Sequence, residues 1–198
     1  FWGIGVPAMF GNMSEQPATS GTNASAAVFG GGKRLGHGTG WWWHTPHDTL
    51  DKIDEDILVR DTRICLHAVW RLLHDAILPL DFAAHARQLR AHLATLGADL
   101  DGRFDLSPLV ARTAAFERNA TALAASSASA DAINRALIAV CRAVVPVDHT
   151  EGDRFEQDAA LPQPAYPSLA VLRRLAAASP GSDEEKFLRV GATRARNR

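Results

Sequence analysis

The chain has 198 residues, 46% of them hydrophobic and 22% charged, with a formal net charge of −1. A chain of this length can bury roughly 70% of the surface it exposes when unfolded, so it can fold without disulfides or a structural metal. Its balanced charge excludes partners recognised by bulk electrostatics, so neither nucleic acid nor an anionic membrane surface is indicated, and no apolar run reaches the roughly 18 residues of a transmembrane helix.

The chain opens on Phe1-Trp2-Gly3-Ile4-Gly5-Val6-Pro7, an apolar phrase with no Met and no cap before it, which reads as the interior of a longer protein with any signal peptide upstream. Residues 1 to 10 are expected to form a loop and a short buried strand, with Pro7 at its first position or on an edge because proline cannot donate to a ladder. From Gly11 to Gly40 the sequence is rich in Gly, Ser, Thr, Asn and Ala without a sustained period, the pattern of a long irregular loop. Asn12-Met13-Ser14, Asn23-Ala24-Ser25 and Asn119-Ala120-Thr121 fit the N-glycosylation triplet, which arises often by chance.

Three consecutive indoles, Trp41 to Trp43, then lead into His44-Thr45-Pro46-His47-Asp48-Thr49-Leu50-Asp51-Lys52-Ile53-Asp54. Indoles are large and amphipathic, so they suit either a core or the rim of a pocket. Asp54 is placed to cap a helix running to about Ile77, with Glu55 and Asp56 against its N-terminal dipole and Pro79 beyond its end. His67 and His74 are read as solvated or at a packing edge, and Cys65 and Cys141 as buried thiols, with a disulfide as the alternative.

Past Leu78-Pro79-Leu80-Asp81 the patterning is almost wholly helical. Phe82, Ala86, Leu89, Leu93 and Leu96 repeat at three and four, with Asp81 as cap and Gly97 as the expected end. Ser107-Pro108 opens a helix carrying Leu109, Ala114, Phe116, Ala120 and Leu123, and Asp131 opens another with Ile133, Leu137, Ile138, Cys141 and Val144 before Pro146. These two are expected as antiparallel neighbours across the turn Ser126 to Ser129. A polar loop from Pro146 to Pro167 follows, then a short helix at Leu169, Leu172 and Leu175, and a last one with Ser182 and Glu185 in capping-box spacing. Arg194 to Arg198 are expected to fray.

The phrase Trp43 to Ile53 resembles the last zinc-ligand motif of the di-zinc aminopeptidases and glutamate carboxypeptidase II-like metallopeptidases, in which an apolar or aromatic residue precedes His-Thr and Asp-Thr follows. Phe1 to Phe10 is similar to the segment shortly upstream in that family. Leu78-Pro79-Leu80-Asp81-Phe82 with Leu89, and Ala165-Tyr166-Pro167-Ser168-Leu169, resemble the entry and a later turn of the helical dimerisation domain shared with the transferrin receptor. The resemblance implies an α/β fold in part: residues 1–79 as the C-terminal piece of a zinc-exopeptidase mixed-sheet domain, and residues 80–198 as an all-α dimerisation-like domain, the chain being predominantly helical.

It further implies two zinc ions per complete site, His44 as a metal ligand, Asp48 as the carboxylate that supports it, and Trp43 as part of the substrate cleft. The remaining ligands and the general-base glutamate belong upstream in the family, so no catalytic residue is assigned here and the chain is expected to be incomplete alone. Where the glutamate-specific members place a Lys-Tyr pair, this chain has Ala160-Leu161, which points to apolar or small rather than acidic peptide substrates. The resemblance also implies a homodimer through the helical half and a location outside the cytoplasm.

Set against this, His44 would otherwise be a capping or core histidine, and His47 a surface residue of the turn. A local zinc site from His37, His44 and His47 has no common ligand spacing. The reading from another class is a non-enzymatic receptor or scaffold of the transferrin-receptor type, which has no physical reason to keep a metal ligand.

Overall fold

A computed structural model describes Gly5, Trp42 and residues 45–151 and 164–197. Among these the chain is predominantly helical, with six α-helices, two short 3-10 turns and no strand. They divide into two compact units: Trp42 and 45–75 lie in one, and Gly5, 76–151 and 164–197 in the other. The strand expected near the start and the glycine-rich loop lie outside the described residues, Gly5 apart.

In the first of these units, helix α1 spans Glu55–His74. The Asp54 side chain accepts from the Ile57 N–H at 3.0 Å, so the sequence-read cap is in place. The helix stops a turn earlier than Ile77, at Asp75, whose N–H donates to Arg71 O and whose carboxylate takes the Arg71 guanidinium at 2.7 Å. Most of its polar residues, Asp56, Arg60, Arg63, His67, Arg71 and His74, fall on one stripe, and the rest of the circumference is mainly apolar, interrupted by Glu55, Asp61 and Thr62. No residue of α1 is buried: Leu58, Leu66, Trp70 and Leu73 are all exposed. Cys65, expected inside, is exposed too, because its stripe has no covering layer among the described residues. Cys141 is buried, and both thiols are free.

The second unit contains the other five helices: α2 Phe82–Leu100, α3 Ser107–Ala124, α4 Ala130–His149, α5 Ala170–Ala177 and α6 Asp183–Asn197. Its core is a leucine cluster in which Leu93, Leu96 and Leu100 of α2 meet Leu172 and Leu175 of α5 and Leu188 of α6. Close contact between α5 and α6 depends on Gly191, where a Cβ would come within 3.1 Å of Val171 Cγ2.

Helix α2 runs through Gly97 rather than ending there. It stops where Asp101 and Gly102 both take positive φ, three residues later, after Leu100 has been sealed into the core. The start of α3 is also shifted: Ser107 and Pro108 lie inside the first turn, and Asp105 supplies the capping oxygen, accepting from the Ser107 N–H at 2.9 Å. Helix α3 packs closely on α2, helped by an Arg90–Glu117 ion pair at 2.9 Å, and not on α4 as expected. Instead, an apolar chamber of about 390 Å³ separates α3 from α4, walled by Phe116 and Leu123 on one side and Ile133 and Leu137 on the other.

Helix α4 passes through Pro146 to His149, where the expectation ended it at the proline. A proline this close to a C-terminus forfeits one helical bond. The turn beyond it is held by Thr150, whose N–H and hydroxyl both donate to Pro146 O, and by Ser168 Oγ donating to Val147 O at 2.9 Å. Gly5, at φ 81°, lies against the α4 backbone at Cys141 and Arg142, where a Cβ would overlap Arg142. At its other end α4 carries Asn134, whose amide accepts from Leu78 N–H and donates to Ala76 O, both at 2.9 Å, fixing the extended entry to the unit.

Helix α6 begins on the expected Ser182–Glu185 pair. Ser182 Oγ accepts from the Glu185 N–H, and the Glu185 carboxylate reaches back to the N–H of Gly181, one residue before the usual capping-box partner. Its basic end is helical to Asn197 rather than frayed, because the Arg196 guanidinium stacks on Phe104 at 5.3 Å while Arg112 donates to Arg196 O. No helix among the described residues is long and apolar enough to cross a membrane.

Candidate functional site

The stretch leading into α1 is a chain of turns closed by threonine hydroxyls. Thr45 donates both its N–H, at 2.9 Å, and its Oγ1, at 2.6 Å, to Trp42 O. Pro46 has no N–H, so the next donor is His47, whose N–H goes to Thr45 Oγ1 at 3.2 Å. The Asp48 N–H then closes on Thr45 O at 3.1 Å. One small side chain therefore organises two of its neighbours, and its own carbonyl a third, which is the work of a Ser/Thr turn.

Thr49 repeats the device. Its N–H and hydroxyl both reach His47 O, and the hydroxyl also contacts the Asp51 carboxylate, which pairs with Lys52. The Lys52 and Thr49 hydrogen bonds hold the Asp51 carboxyl below the ordinary carboxylate range, so it stays ionised. A single 3-10 turn at Leu50–Lys52 then delivers the chain to the Asp54 cap. Since both threonine hydroxyls are committed to shaping the backbone, neither is a candidate nucleophile.

Of the three residues assigned from sequence, Trp43 and His44 lie outside the described residues, and Asp48 sits on the turn with its side chain exposed. His47 is exposed as well, and His37 lies outside the described residues. Among the described residues no group of three His, Cys, Asp or Glu side chains is placed to hold a metal ion. The carboxylates described at this turn, Asp48 and Asp51, do not make a metal site by themselves. A two-metal centre needs further acidic and imidazole donors.

The structure also assembles a polar cluster that the sequence did not reveal. His85 of α2 faces Asp148 of α4 at 3.4 Å, beside Tyr166. No spacing rule could have found it, since its members come from separate helices and a turn.

No family model, curated protein or solved structure matches this chain.

Proposed function

We propose that this chain is the C-terminal part of a zinc-dependent exopeptidase, an aminopeptidase or carboxypeptidase, in which residues 1–79 complete a mixed-sheet catalytic domain and residues 80–198 form a helical dimerisation domain. The observation that carries it is the phrase Trp43 to Ile53. Two features of the fold support it. The threonine turns present the stretch after His44 in one fixed course. Helix α1, apolar on most of its circumference and nowhere buried, has the surface of a helix made for a layered domain larger than the residues described around it.

In this reading His44 supplies one neutral imidazole to the metal, the Asp48 carboxylate holds that ring in orientation, and Trp43 excludes water from one wall of the peptide cleft. Bound zinc supplies an acidified water and polarises the scissile carbonyl. The complete protein should therefore hold about two zinc ions per subunit. Its hydrolysis of peptides with small or apolar ends should disappear on dialysis against a chelator and return with zinc. A full-length protein that binds no zinc and cleaves no peptide would favour the receptor or scaffold alternative instead.

The homodimer belongs to the same proposal. Phe187 and Val190, one turn apart on α6, are exposed by 78% and 52% and give the helical half an apolar face. Sedimentation of the intact protein at micromolar concentration should give a dimer, and a monomer there would remove that part of the reading. An exported location is proposed on the resemblance alone.

A further inference from the structure

We propose that His85 and Asp148 share one buried proton, and that the pair is a pH-responsive latch fastening the C-terminal turn of α4 to α2. It stands independently of the peptidase reading, because its residues all lie in the helical unit.

The geometry is specific. His85 Nε2 and Asp148 Oδ1 are 3.4 Å apart, both shut off from water, and neither has a hydrogen-bond partner. Each is thus a buried polar atom with the other 3.4 Å away. Phe116 of α3 and Tyr166 lie T-shaped to the imidazole, with centroids 6.4 Å and 6.1 Å away. Aromatic walls of this kind disfavour any net charge. With one titratable proton the pair is neutral and a hydrogen bond satisfies both atoms. With none it carries a buried negative charge, and with two a positive one.

The other ionisable groups around it are already engaged or uncharged. His92 of α2 stacks against Tyr166 and meets Arg173 of α5, which also donates to Tyr166 O at 2.9 Å. Glu117 of α3 is paired with Arg90, and Glu151 lies close enough for its charge to act on Arg173. Burial pushes His149, next to Asp148, towards its neutral form. None of these brings a full positive charge to the Asp148 carboxylate, so His85 is its counter-group.

Burial moves both partners in the direction the latch requires. Asp148 is pushed up to about 7, and His85 is pushed below its ordinary 6.5. In the undocked turn the pair has ordinary affinities, and its last proton leaves as the imidazole passes 6.5. The docked pair keeps that proton until about 7. Protonation therefore favours docking, and the advantage is lost as pH rises from 6.5 through 7 and stays constant above. What comes free is the segment Val147 to Glu151, which also anchors the turn Pro167–Leu169 through Ser168.

The test is a carbon-detected NMR titration of the Asp148 carboxyl and the His85 ring, with amide exchange at Val147 to Thr150. The Asp148 midpoint is expected near 7. Opening of the turn should increase between about pH 6 and 8.5 after correction for intrinsic exchange, the direction set by the docked pair's tighter hold on its last proton. In Asp148→Asn that increase should vanish. Should this variant not fold, His85→Gln serves: the carboxyl, left with no imidazole, should titrate well above the ordinary range and release the turn as it ionises. An Asp148 midpoint below 5, in the wild type or in His85→Gln, overturns the latch, as does an increase of opening with rising pH that survives in Asp148→Asn.

Discussion

Replacing His44 by alanine in the full-length protein should lower peptide turnover on the order of 10³-fold, roughly 4 kcal/mol of transition-state stabilisation, and should release zinc. The size follows from what the ligand does in the proposed centre. A metal that loses one of its few protein ligands is bound more weakly, and its water is no longer held where it can be acidified and aimed. Asp48→Asn should act through the same imidazole and cost less, about 10- to 100-fold, since it removes support rather than the ligand. Asp51→Asn is the control that separates the metal from the turn. Its carboxylate is bound to Thr49 and Lys52, so its loss should loosen the turn and leave zinc content intact. Unchanged zinc and unchanged turnover in His44→Ala would remove His44 from the site and with it the basis of the peptidase proposal.

Helix starts were legible in the sequence to a degree that helix ends were not. Asp54, Asp81 and Ser182 each accept from the backbone N–H three residues on, a bond that needs nothing beyond the local chain, and Ser129 does the same at the helix whose start was expected at Asp131. Ends depend on what the last turn meets. Gly97 costs α2 about 1 kcal/mol relative to alanine, but stopping there would leave Leu100 outside the core, which is worth roughly 1.5–3 kcal/mol. Pro146 fails to stop α4 for a similar reason, with Val145 buried and Val147 O tied to Ser168.

Cys65 and Cys141 sit in equally apolar helical patterns, yet one is exposed and the other buried. A pattern reports which face could be covered, and only the fold supplies the cover. The candidate site divides in the same way. The Trp43–His44 phrase is read through resemblance alone and lies outside the described residues, whereas the Thr45 and Thr49 turns after it emerge only from the folded backbone. His85 and Asp148 had no signature at all, because an isolated histidine and an isolated aspartate on two amphipathic helices look like ordinary solvated residues.

Arg103→Met should destabilise the helical unit by about 2 kcal/mol, the largest effect expected there from a residue outside the leucine core. Arg103 follows the left-handed stop of α2 and reaches across to the end of α5. Its Nε donates to Leu100 O at 3.2 Å, one terminal nitrogen donates to Ala178 O at 2.8 Å, and the other is bonded to Ala176 O. These are carbonyls at the C-terminal ends of two helices, which have no intrahelical donor and carry the negative end of the dipole. One planar cation thus satisfies both ends at once. Methionine keeps much of the stem that packs there but removes every side-chain donor, leaving the Ala176 and Ala178 carbonyls short of partners at about 1 kcal/mol each, while Leu100 O keeps the Arg103 backbone N–H at 2.9 Å. Arg103→Lys should recover only part of the loss, since a single ammonium cannot span acceptors that the guanidinium fork reaches on both sides. Urea denaturation of the intact chain, followed by helical circular dichroism, measures all three proteins. A methionine variant as stable as the wild type would mean that the two helix ends are held by leucine packing alone.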